Sequence, residues 1–189
     1  TDITGEVPET KVIIPGKVVR ELIGALSSND SDVVHAYIDP VRIKFDFGRF
    51  ALISSLIDGS FPNYEAVIPK KLERELVANT VEFANALRAG YAMTSDTNRI
   101  VRLAAKPGSL VFRVRTPEVG EYMDEIAAEY AGSEIEISFN PDFLLDFLRY
   151  VQSECICMCF KDMNNPVVFK PYTEAPEDNY LNVVMPVRI

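Results

Sequence analysis

Apolar positions along the chain switch period in the same order three times: a short alternating run, a helical stripe, then further alternating runs. Lys11-Val12-Ile13-Ile14 reads as a strand. Pro15 then opens a stretch in which Val18, Val19, Leu22, Ile23 and Leu26 share one helical face, with Lys17, Arg20 and Glu21 on the other. Strands are expected over 33–38, 41–47 and 50–56, with turns at Asp39-Pro40 and Gly48. The second round opens with a strand at 74–78. Asn79 or Thr80 then serves as a helix cap, with Glu82 placed for a capping box, and Val81, Ala84 and Leu87 form the apolar stripe. Strands over 100–105 and 110–114 flank Lys106-Pro107-Gly108-Ser109, a hairpin signal. The third round is a strand at 135–139, a cap at Asn140, Pro141 as first helical residue, and a stripe of Phe143, Leu144, Phe147, Leu148 and Val151. A hairpin around Asn164-Asn165-Pro166 follows, and 182–189 closes the chain as a strand.

The three helix starts, Pro15, Asn79 and Asn140, lie roughly sixty residues apart, too long for a stacked solenoid and suited to duplicated subdomains. Each unit sets one amphipathic helix on one antiparallel sheet, an α+β design. Two such units close on each other with their helices side by side, so three leave one without its mate. The boundary is expected near Pro69-Lys70-Lys71, dividing 1–69 from 70–189. The first unit is then half of a domain whose other half is expected upstream of Thr1, and its apolar edges should be exposed.

Composition narrows the function. The chain has 189 residues, 48% of them hydrophobic, and 19 Lys and Arg against 28 Asp and Glu, for a net charge of -9. That balance disfavours nucleic-acid binding through the whole surface, yet the field near a nucleic acid depends on which face carries the cations. Cys155, Cys157 and Cys159 alternate along a strand, with Ile156, Met158 and Phe160 on its other side. A metal site would need turn spacing and nearby histidine, and the one histidine is His35, so no metal or cofactor is expected. An odd number of cysteines suits a reducing cytosol. Asp142 and Asp146 share a helix face with no partner base, the serine pairs lack a base, and no glycine-rich phosphate loop occurs, which argues against an enzyme. The acid-rich stretch 118–129 lacks calcium-loop spacing and is expected to be solvated surface with i, i+4 charge support.

Two segments exceed what this design requires: Leu56-Ile57-Asp58-Gly59-Ser60-Phe61-Pro62-Asn63-Tyr64-Glu65-Ala66-Val67-Ile68-Pro69, and the terminal Val183-Val184-Met185-Pro186-Val187-Arg188-Ile189. With Asn98–Leu103 and Ile135–Asn140 between them, they resemble signature stretches of bacterial DNA sliding clamps, the β subunit of DNA polymerase III. The resemblance runs from about Val12 to Ile189.

The resemblance implies the DNA-clamp fold, here half of a middle domain plus a complete third domain. It implies a non-catalytic processivity factor of the replicative polymerase, cytoplasmic and nucleoid-associated, whose full-length form is a head-to-tail homodimeric ring around duplex DNA. Its partner site is an apolar pocket, expected where the middle and third domains meet, for short linear peptides of the polymerase III α subunit, clamp loader, other polymerases and repair proteins. The matching positions are Pro62, Val67, Asn140, Phe143, Val183, Val184, Met185, Pro186, Val187 and Arg188. The weak, sequence-independent DNA contacts of a sliding ring would fall to Lys17, Arg20, Lys70, Lys71, Arg74, Arg88 and Arg149. The alternative is a truncated, clamp-derived module that binds peptides without forming a ring.

Overall fold

The computed structural model describes residues 10–28, 33–69, 71–95, 98–117, 120–173 and 180–188. They form two compact units, Thr1–Pro62 and Asn63–Ile189, so the division falls at Pro62 rather than at the expected Pro69. Among the described residues no helix is long and apolar enough to cross a membrane.

The first unit holds α1 (Gly16–Ser27) and a three-stranded antiparallel sheet of β1 (His35–Ile38), β2 (Arg42–Asp46) and β3 (Ala51–Ser55) in that order. Pro15 ends the extended segment, and its carbonyl accepts from Val18 and Val19, starting α1 without a side-chain cap. The β1–β2 turn is set by Asp39, whose carboxylate accepts from the backbone of Val41 and Arg42; those bonds hold its pKa below the usual value. Gly48, with φ of 79°, makes the second turn.

The apolar stripe of α1 is not buried, in keeping with the exposed apolar edges expected of this unit. The helix has no buried residue, and Ile23 and Leu26 are 59% and 49% exposed. Only Ile43 and Phe47 are buried among the described residues of this unit. Lys11–Ile14 forms no strand either, though the Ile13 carbonyl accepts from Ile57. The second unit supplies the physical reason.

That unit contains two copies of one strand–helix–three-strand pattern. The first is β4 (Arg74–Asn79), α2 (Thr80–Ala92), β5 (Val101–Lys106), β6 (Ser109–Thr116) and β7 (Gly120–Glu129). The second is β8 (Ile135–Phe139), α3 (Pro141–Leu148), β9 (Cys155–Phe160), β10 (Val167–Tyr172) and β11 (Asn182–Val184). The sheet order is β11-β10-β9-β4-β7-β6-β5-β8, antiparallel throughout. Each copy lends its opening strand to the other: β4 pairs along β9, and β8 along β5. The matching segment of the first unit, Lys11–Ile14, finds no such second copy among the described residues, and so it neither pairs as a strand nor gives α1 a neighbouring helix.

In the second unit α2 packs beside α3, and both cover one sheet face. Asn79 caps α2 by accepting from Val81 and Glu82, and Asn140 caps α3 by accepting from Asp142. The core centres on Phe169, whose ring meets Phe83, Phe139 and Phe147 at centroid distances of 6.3, 5.7 and 6.0 Å. Val81, expected in the α2 stripe, is 65% exposed; Phe83, Ala86 and Gly90 complete the buried face instead. The acid-rich stretch also differs from expectation, because Gly120–Glu129 is strand β7, paired with β6 along its length. Its acidic residues sit mostly on exposed positions, while Ile126 and Ala128 turn into the core. Its acids, Glu121, Asp124, Glu125 and Glu129, recur at helical rather than alternating spacing, and this hid the strand.

Candidate peptide-binding groove

Helix α3 carries two overlapping stripes, and this makes the groove. Leu144, Phe147 and Leu148 face the core. Phe143, Asp146, Phe147 and Tyr150, at i, i+3, i+4 and i+7, face the C-terminal segment, and Phe147 serves both stripes. The opposite wall is Tyr180 with Asn182, Val183, Val184 and Met185. Between the walls lies a groove of about 500 Å³, within the size range of small-ligand and peptide sites.

The floor and rim are held by specific contacts. Tyr180 stacks on Phe147 with centroids 5.4 Å apart and planes at 14°, and the Asn182 amide donates to the Phe143 carbonyl at 3.2 Å. Val184 is buried in the core, which anchors β11. Phe143 and Met185, both lining the groove, are 56% and 54% exposed. Burial, followed by the Tyr150 and Asp146 charges, pushes the Tyr180 hydroxyl above its ordinary pKa. Asp146 also pairs with Arg149 at 3.6 Å, an exposed ion pair of little energetic weight.

The sequence-derived positions divide among several places. Phe143, Val183, Val184 and Met185 line the groove. Asn140 caps α3, its side-chain oxygen already accepting from Asp142. After Pro186 the chain turns to β8, where Val187 donates to the Ser138 carbonyl at 2.7 Å. Val187 and Arg188 therefore line a separate depression of about 450 Å³ with Arg102, Glu136, Ser138, Met163 and Asn164. Val67 is exposed after the 3-10 turn Tyr64–Ala66 and is not among the groove-lining residues. Pro62, also exposed, ends the first unit. Sequence reading passed over Tyr150, one position past the α3 C-cap Arg149, and Tyr180 and Asn182, which come to α3 only through the fold; it noted Asp146 only as a carboxylate with no partner base.

The basic positions fall on several elements. Lys17 and Arg20 are exposed on α1, Arg88 on α2, Arg149 just past α3, and Lys71 ahead of β4. Arg74 lies within β4, half-buried, with its guanidinium donating to the Tyr130 hydroxyl at 3.4 Å. Lys70 falls outside the described residues. Asp142 pairs with Arg99 at 3.1 Å.

Solved sliding clamps share this fold of helices on antiparallel sheets. A clamp from Bartonella birtlesii superposes with a TM-score of 0.85 at 32% identity, over 94% of this chain and 50% of that one. A clamp from Pseudomonas aeruginosa, solved with a ligand, gives 0.83 at 30% identity over 94% and 48%. The family model for the DNA polymerase III beta subunit, C-terminal domain, matches residues 65–188, and that for its central domain matches residues 2–63. The chain belongs to the DNA polymerase III beta subunit family. Among curated relatives, the beta sliding clamp of Caulobacter vibrioides (strain NA1000 / CB15N) is 31% identical over 186 residues, covering 96% of this chain and 49% of its own. That of Bacillus subtilis is 30% identical over 190 residues, covering 97% and 49%. The chain thus spans about half the length of the curated relatives it matches.

Proposed function

We propose that this chain is the partner-binding half of a processivity clamp. The first unit supplies the second half of the middle domain, and the second unit supplies the third domain. In the whole protein, a homodimeric ring encloses duplex DNA and holds it by topology, with weak phosphate contacts from Lys17, Arg20, Lys70, Lys71, Arg74, Arg88 and Arg149 and no base readout. The chain performs no catalysis. It works in the cytoplasm, on the nucleoid.

The groove between α3 and the C-terminal segment takes short peptides of the polymerase III α subunit, the clamp loader, other polymerases and repair proteins. The observation that carries this reading is the exposed Phe143 and Met185 pair flanking a 500 Å³ groove. Such a cleft suits Leu and Phe side chains of a peptide, with Met185 supplying an adaptable wall. Within the second unit, Asn140 at the start of α3 and Pro186 after Met185 continue the recognition surface.

The test is a fluorescence-anisotropy titration of the chain with a labelled peptide containing adjacent Leu and Phe. Met185→Ala and Phe143→Ala should each weaken binding by about five- to thirty-fold, the loss of one buried anchor. Affinity indifferent to both substitutions would remove the groove from the proposal.

A further inference from the structure

The sheet face turned away from the helices holds a cluster that the clamp reading leaves unused. Alternation along β9 sends Cys157 and Cys159 to that face, where they form a small buried group with Val168, edged by Leu72, Val77 and Val183. The two residues are 1% and 0% exposed, and their sulfurs lie 3.3 Å apart. Glu75 stands directly across the β4–β9 ladder from Cys159, and its Oε1 lies 3.8 Å from the Cys159 sulfur. All three donor atoms fall within 4.8 Å of one another.

We propose that Glu75, Cys157 and Cys159 form a binding site for one thiophilic divalent cation of the zinc class. A tetrahedral ion with bonds of about 2.3 Å to sulfur and about 2.0–2.2 Å to a carboxylate oxygen places its donors about 3.5–3.8 Å apart. The separations here approach that figure before any ion enters. Two thiolates select a soft ion over magnesium or calcium, and the carboxylate completes a three-donor set that leaves the fourth position for water.

A disulfide is the poorer use of this pair. Residues two apart on one strand have Cα atoms about 6.4–6.8 Å apart, at the far limit of disulfide geometry, whereas an ion bridges them without drawing the sulfurs together. Access is provided by Glu75, which is exposed and forms the mouth of the site over the buried sulfurs. The Cys157 proton leaves as the metal binds, so occupancy releases protons.

Cobalt(II) is the probe, titrated into the reduced, chelator-stripped chain while the near-ultraviolet thiolate-to-cobalt band is recorded. The expected result is one equivalent per chain, displaced by zinc, with the band absent from Cys157→Ser/Cys159→Ser and retained in Cys155→Ser. Glu75→Gln, an exposed substitution that leaves the core intact, should weaken cobalt binding at least ten-fold while its melting temperature without metal stays at the parent value. Absence of a saturable band in the parent would overturn the site, as would a band that survives the double serine variant. Parent-like cobalt affinity in Glu75→Gln would overturn the assignment of its third ligand.

Discussion

The Val187 main-chain N–H donates to the Ser138 carbonyl at 2.7 Å, joining the two ends of the second unit's strand order. β11 lies at one end and β8 at the other, so the last residues bridge the sheet's free edges. The wall of the groove, Val183 to Met185, is therefore held on both sides: by β10 before it and by β8 after it.

This bond sets the first prediction. Val187→Pro removes the donor, leaving the Ser138 carbonyl without its partner, and should cost about 1–3 kcal/mol. Val187→Ala keeps the bond and should cost less. Urea unfolding compares the two, and equal losses would mean that the bond does not hold the terminal segment.

Phe143 and Phe169 contain the same side chain in opposite circumstances. Phe169 is 0% exposed at the centre of the aromatic core, and Phe169→Ala should cost about 3–5 kcal/mol, much of a typical domain's stability. Phe143 is 56% exposed, so Phe143→Ala should stay within about 0.5 kcal/mol of the parent. Chemical denaturation should separate them clearly. A large loss at Phe143 would show that it supports the fold and is not held ready for a ligand.

Asn140 is the third case. Its side-chain oxygen accepts from Asp142 at the start of α3, so Asn140→Ala should cost about 1 kcal/mol and Asn140→Ser should recover most of it. Thermal melts of both variants test this. If Ala and Ser destabilise equally, the cap is not what Asn140 contributes.

Tyr122 gives a pH signature. Burial, and then the hydrogen bond to Asp124, pushes its hydroxyl to about 12 from an ordinary 10.0. The folded chain thus keeps the proton that the unfolded chain loses first. Its contribution is full below about pH 10 and is lost as pH rises towards 12. Compared with the parent, Tyr122→Phe should show a shallower fall in stability across that window. Parallel curves would assign the alkaline loss to other groups.

What lay within four or five residues was legible in the sequence. Asn79 and Asn140 announced their helices because a cap acts through its own side chain on donors two or three positions ahead. Pro107-Gly108 marked its hairpin through backbone angles, and Cys155–Phe160 showed its two faces through strand alternation. The repeat of helix on sheet followed from the same local signals, and with the two signature segments it led to the right family.

Tertiary structure decided the rest, because pairing between distant segments depends on which loops close and not on local preference. Only the exchange of β4 and β8 between the two copies sets Glu75 beside Cys159, and only the return of the terminal segment stacks Tyr180 on Phe147. The same exchange explains why the apolar stripe of α1, as regular as that of α3, remains exposed. A stripe states which face seeks cover, and the fold determines whether another element is there to provide it.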